Sequence, residues 1–233
     1  MPLLAYCIAE PGSNIEVPLR GVQGVPPSTI IESGLICFLS EYEPSGVNST
    51  HVREAALAFN RVLQELLGQT AIVPFRFPTL LGDEAEIRTF LQHHAAHYRD
   101  LLGRLRDVVQ IEINLTINKS SQPSGSGREY LLARQHLNRT LADAATLIRR
   151  YLGAQIRDWR QSQSSSATRC YMLVSRDDLK STFEKFRELK IASELQARVT
   201  GPWPATDFIA LPPDEHENSL QSSAPPVTTK PYA

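Results

Sequence analysis

Apolar positions along the chain follow two rhythms. Leu3–Glu10 is an almost unbroken apolar run closed by Pro11-Gly12, which predicts a first, central strand. Glu16–Val22 and Thr29–Ser40 predict further strands, broken by Gly21, Gly24, Pro26-Pro27 and Gly34. Leu35–Leu39 is apolar on both faces, as a buried strand is. From His51 to Leu67 the spacing changes to threes and fours. Val52, Ala56, Phe59, Leu63 and Leu66 make one helical stripe, with Ser49 or Thr50 to cap it and Gly68 past its end. Ala71–Phe77 reads as a short strand, and Pro74, which has no N–H, places it at an edge or gives it a bulge. A helix starts near Asp83. Asp83, Glu84 and Glu86 favour its positive end, Arg104 and Arg106 its negative end, and Ile87, Phe90, Leu91, His94, Leu101, Leu102 and Leu105 outline its buried side.

Strict alternation returns at Val109–Ile117, where Val109, Ile111, Ile113, Leu115 and Ile117 predict a strand with one buried and one wet face. After a Ser/Gly/Pro loop over Asn118–Gly127, a long helix is expected from Arg128 to Gln161, with Leu137, Leu141, Ala144, Ile148, Leu152, Gln155 and Trp159 as its stripe. A polar loop over Gln161–Thr168 leads to a buried strand at Cys170–Val174. Ser175 then caps a short helix to Leu189. Ile191–Thr200 alternates again, and Phe208–Leu211 suggests a last edge strand. Beyond Pro212, Pro, Ser and Thr crowd out apolar residues, the composition of a disordered tail. The fold class predicted is α+β, in two small domains. The first covers about 1–107, the second, ferredoxin-like with one long helix, about 108–211, and the tail 212–233.

Composition narrows the function. The chain has 233 residues, 42% hydrophobic and 21% charged, which allows one large domain or two small ones and a sizeable core. No apolar run reaches the roughly 18 residues that a membrane helix needs. The start, MPLLAYCIAEPG, lacks the basic segment of a secretory signal. A net charge of -1 gives the whole chain no electrostatic claim on nucleic acid. Cys7, Cys37 and Cys170 are too few and too far apart for a disulfide framework or a zinc motif. They read as buried thiols in a reducing cytoplasm.

No catalytic constellation stands out. His93 and His97 share a helix face at zinc-compatible spacing, but HHAAH lacks the Glu of a metalloprotease and no third ligand is evident. The chain carries no G-x-S-x-G, P-loop or G-x-G-x-x-G. Ser124–Gly127 could place an anion at a helix N-terminus, although a flexible linker and cap is the better account of it. The long helix is basic, with seven arginines (Arg128, Arg134, Arg139, Arg149, Arg150, Arg157, Arg160), yet no aromatics interleave with them as a nucleic-acid surface would require. Two Pro-stiffened segments suit shaped contact surfaces: Val73–Thr79, with Arg76 between two Phe, and Thr200–Pro204, with Trp203 between two Pro.

These segments, VPFRFPT and VTGPWPATDFI, together with SGREYLLAR and the opening LLAYCIAE, occur in an order that resembles the GvpF/GvpL family of gas vesicle proteins over about residues 3–211. Pro78 stands where the family carries Gly, and PATDF where it carries a PPYSF-like segment. The resemblance implies a two-domain α+β accessory or minor structural protein, without enzymatic activity or cofactor. It implies localisation to the gas vesicle and cytoplasm, and contact with the hydrophobic shell protein GvpA and other Gvp proteins during assembly. Contact residues expected on these motifs and on the basic helix are Arg76, Phe77, Arg128, Glu129, Tyr130, Arg149, Arg150, Pro202 and Trp203. The alternative is a small-molecule-binding regulatory module, a role that ferredoxin-like domains also play.

Overall fold

The computed structural model describes residues 1–12, 14–43, 49–118, 127–164 and 167–209. The expected tail, and most of the Ser/Gly/Pro loop before the long helix, lie outside the described residues. The chain forms two antiparallel sheets and four helices, an α+β fold.

In the first sheet, β1 (Leu3–Ala9) is central, as its two-sided apolar run requires. On one side it pairs with β3 (Leu35–Glu41), which turns back into β2 (Ser28–Glu32) through Ser33-Gly34. Both turn residues have positive φ, 51° and 74°, the conformation a two-residue hairpin favours. On its other side β1 pairs with β4 (Ile72–Pro74) and, beyond an excursion at 75–79, with β5 (Leu80–Leu81). The segment around Pro74 is therefore an edge strand, paired with β1 in continuous register. The strand expected at Glu16–Val22 does not form. Its apolar Val17 and Leu19 face solvent, and side chains take its amides in place of a neighbouring strand: Gln69 accepts from Glu16, and Tyr6 accepts from Val22.

Two helices cover the two faces of this sheet. α1 (Ser49–Leu67) packs Phe59, Val62, Leu63 and Leu66 with Leu4 and Tyr6. α2 (Glu84–Leu105) packs Ile87, Leu91, Leu101 and Leu102 with Ala5 and Ile8. Asp83 caps α2 by accepting the Glu86 N–H at 2.9 Å.

The second sheet joins β6 (Val108–Ile117), α3 (Gly127–Tyr151), β7 (Ile156–Gln163), β8 (Ala167–Ser175), α4 (Leu179–Glu188) and β9 (Leu195–Trp203). The strand order is β7-β8-β6-β9, the ferredoxin-like βαββαβ arrangement. The long helix stops ten residues short of Gln161. It ends at Tyr151, and 156–163 turns back as β7, so Gln155 and Trp159 do not continue the stripe. Trp159 instead lies opposite Met172. At the other end, β9 begins at Leu195, not Ile191. The expected strand at Phe208 is a 3-10 turn, Thr206–Phe208.

The packing is shared between the sheets. Ile111, Ile113, Met172 and Val174 face α3 and fall in the same core as Leu4, Tyr6 and Phe59. The face of β6 expected to be wet is covered where Gln110 lies. Gln110 is buried, donates to Asp207 Oδ2 at 2.6 Å and accepts the Asp207 N–H at 3.2 Å. Tyr171, Leu173 and Phe208, on this face, join the core that α2 builds.

Candidate partner-binding surface

A depression lies between the segment 19–24 and the outer side of α1. It holds about 700 Å³, with Leu19, Tyr42, Val52, Ala55 and Ala58 as apolar lining and Arg20, Glu54, Arg61 and Glu65 among its charged residues. Its two most prominent apolar residues are open to solvent, Leu19 87% and Val52 47% exposed.

One wall is built stiffly from local hydrogen bonds. Tyr6 Oη accepts the Val22 N–H at 2.9 Å and lies 2.9 Å from Ser40 Oγ. Gly21 donates its N–H to the Val25 carbonyl at 2.9 Å, and Gln23 exchanges two bonds with the Glu43 backbone. Gly21 is required here, because a Cβ would stand 2.5 Å from both Tyr6 Oη and the Val25 oxygen. Behind the wall, Tyr6 stacks on Phe59 at 5.1 Å, Phe59 meets Phe77 at 5.3 Å, and Phe77 meets Tyr42 edge-on at 6.5 Å. Phe77 of the VPFRFPT motif is thus turned inward, where it supports Tyr42 at the edge of the groove.

The other expected contact residues sit on separate elements. Arg76 is exposed in the 75–79 excursion, where Thr79 Oγ1 donates to its carbonyl at 2.7 Å. Arg128, Glu129 and Tyr130 occupy the first turn of α3. The buried residues of that helix begin only at Leu137, so its first ten residues stand clear of the sheet, with Leu131 and Leu132 66% and 58% exposed. Arg134 donates to Tyr130 Oη at 2.7 Å and lies over its ring. Arg149 and Arg150 are exposed on the last turn of α3, and Arg149 lines a dent of about 240 Å³ with Arg157 and Trp159. Arg157 and Arg160, expected on the helix, belong to β7.

Pro202 and Trp203 are half-buried at a bulge of β9, and Trp203 Nε1 donates to Thr200 Oγ1 at 3.2 Å. Gly201 has φ +134° and lies so near β6 that a Cβ would come within 3.0 Å of the Gln110 carbonyl oxygen. The TGPW motif therefore fixes a close backbone approach. The groove residues Leu19, Tyr42 and Val52 were not singled out from sequence. Val52 lies on the helical stripe and is nonetheless 47% exposed.

Burial pushes the thiols of Cys37 and Cys170 up to about 12 and that of Cys7 well above its usual value, which removes thiolate nucleophiles at neutral pH. His94 packs on Phe90 at 4.7 Å, and His97 meets the edge of Tyr98. Among the described residues no three His, Cys, Asp or Glu side chains are grouped to hold a metal. No helix among them is long and apolar enough to cross a membrane. A polar cleft of about 510 Å³ lies where the two sheets meet, but its cations are engaged: Arg106 with Glu10 at 2.9 Å, Arg176 with the Leu67 and Thr70 carbonyls.

A family model described as gas vesicle synthesis protein GvpL/GvpF matches residues 2–210. The fold is similar to that of the gas vesicle protein GvpF from Anabaena sp. PCC7120, at TM-score 0.72 and 15% identity over 91% of this chain and 97% of that one. It is also similar to GvpF from Microcystis aeruginosa, at TM-score 0.68 and 14% identity over 90% of this chain and 99% of that one. No curated protein sequence matches the chain.

Proposed function

The chain belongs to the gas vesicle synthesis protein GvpL/GvpF family, and on that premise we propose that it is a non-enzymatic assembly factor or minor structural component. It binds the hydrophobic shell protein GvpA, and other Gvp proteins, in the cytoplasm and at the growing vesicle. The observation that carries this reading is the groove beside α1: an apolar lining with exposed Leu19 and Val52, charges of both signs around it, and a wall held by hydrogen bonds. An amphipathic segment of a shell subunit can lay its apolar side there and its polar side against the rim. Each Å² of apolar surface removed from water contributes about 25 cal/mol, so a modest groove keeps an apolar subunit dispersed and still releases it. The buried thiols and the engaged cations of the polar cleft support a role without catalysis.

The test is co-purification of GvpA with the chain, against variants Leu19→Glu and Val52→Glu. Both positions are exposed, so folding is unaffected and GvpA recovery should fall several-fold. Equal recovery by wild type and both variants would move the contact away from the groove. No recovery by wild type would sink GvpA as the partner. A metabolite that raises the melting temperature by several degrees while GvpA fails to bind would favour the small-molecule module instead.

A further inference from the structure

The two edges of the second sheet are finished differently. The β9 edge is broken near its end by the Gly201-Pro202 bulge. β7, on the opposite edge, pairs with β8 in continuous register from Asp158 to Gln163, and Arg157, Asp158 and Arg160–Gln163 are all exposed. Natural sheets blunt such an edge or pair it. In the described chain one contact closes it: the Asp158 carboxylate accepts the N–H of Trp159 at 2.7 Å.

We propose that β7 is a homodimer edge, pairing antiparallel with β7 of a second copy about a two-fold axis at Trp159. The charges select this register. A two-fold axis perpendicular to the sheet places residues of equal parity opposite one another, so it passes through a single residue pair. Centred on Asp158 it would oppose two carboxylates, and centred on Arg160 two guanidiniums. Centred on Trp159 it sets Asp158 of each copy against Arg160 of the other. Opposite charges facing across strands stabilise, and like charges destabilise. The tryptophans then meet on the other face, where Trp159 is half-buried against the core. Arg160 is already positioned on the Asp158 face, its guanidinium 5.3 Å over the Phe208 ring. On pairing, Asp158 exchanges its bond to the Trp159 N–H for Arg160 of the other copy, and the edge N–H groups find strand partners. The two four-stranded sheets become one of eight. A strand pair is smaller than the roughly 1,200–2,000 Å² of a standard interface, so the affinity expected is micromolar.

Sedimentation velocity on the full chain tests this, over about 1–200 µM to bracket that affinity. Wild type should pass from monomer to dimer, with a blue shift of tryptophan emission. Asp158→Arg alone and Arg160→Asp alone each oppose like charges, and each should weaken the dimer at least about tenfold. An equimolar mixture of the two variants, and the double variant carrying both changes, should restore it. Circular dichroism of each variant separates misfolding from lost pairing. A wild-type chain that stays monomeric throughout, whether its own residues 210–233 or nothing lies on the edge, overturns the proposal. So does a dimer that neither single change weakens, or one that the mixture does not rescue.

Discussion

Arg176 donates from Nη1 to the Leu67 carbonyl at 2.6 Å and from Nη2 to the Thr70 carbonyl at 3.0 Å. The Leu67 carbonyl at the end of α1 is thus held by a side chain that follows β8 of the other sheet, while the Gln64 and Leu66 carbonyls accept the N–H groups of Gly68, Gln69 and Thr70. Burial lowers the pKa of this guanidinium, and the nearby Asp107 carboxylate opposes that shift. Hydrogen bonds from a charged group contribute about 1.5–3 kcal/mol each, and burial of the carbonyls adds to the loss when both go. Arg176→Met should cost about 3 kcal/mol, and Arg176→Lys nearly as much, because Lys lacks the fork that reaches two carbonyls. An unchanged urea midpoint would show that water closes this helix end as well.

Tyr6 Oη does two jobs at the groove wall, accepting from Val22 and meeting Ser40. Tyr6→Phe keeps the stack on Phe59 and strands a buried amide, at about 1–3 kcal/mol. The wall should loosen locally, so exchange of the Val22 amide should speed up more than that of α2 amides, and GvpA recovery should fall. Uniform acceleration across the chain would reduce the effect to global stability.

Arg149 and Arg150 stand exposed at the end of α3. Charge on such a surface adds little affinity but raises encounter rates. Arg149→Glu with Arg150→Glu should slow partner association while melting changes by under about half a kcal/mol. The wild-type rate should fall with added salt. Association that ignores both salt and the double variant would direct attention to the groove or to the Pro202–Pro204 corner.

The three thiols set a limit on the alkaline side. Cys37 and Cys170 are held up to about 12 by burial, and Cys7 is raised well above its usual value. The unfolded chain ionises these thiols near pH 8.5, while the folded chain keeps them neutral. Their contribution is therefore whole below about pH 8.5 and is lost as pH climbs from there toward 12. Stability measured by denaturant should fall over that window, and Cys37→Ala should flatten the fall. An identical slope in the variant would assign it to other groups.

Much of this fold was legible because its signals are local. The unbroken run of β1, the Pro74 edge and the alternation of β6 each follow from the shape of a strand buried on two faces, one face, or at a margin. β7 was missed because Trp159 falls seven residues after Leu152 and so matches the spacing of the helical stripe, although the helix ends at Tyr151. The strand expected at Glu16–Val22 failed for the opposite reason. The partners of its Glu16 and Val22 amides are side chains at Gln69 and Tyr6, distant in sequence. The groove was illegible because it is a relation between segments 19–24 and 51–65. Phe77, marked as a contact, turned inward because Tyr42 and Phe59 complete its surroundings only in three dimensions.

The shared packing bears on how interactions of such a chain are mapped. Val109, Ile111 and Met172 lie in one core with Leu4, Tyr6 and Phe59, and Ala205 and Phe208 lie with Ile8 and Leu35 in the other. A bait cut between Asp107 and Val108 would bare both interiors along the cut. It would gather apolar prey by stickiness alone. Point changes at solvent-facing positions of the intact chain are the means of telling recognition from adhesion.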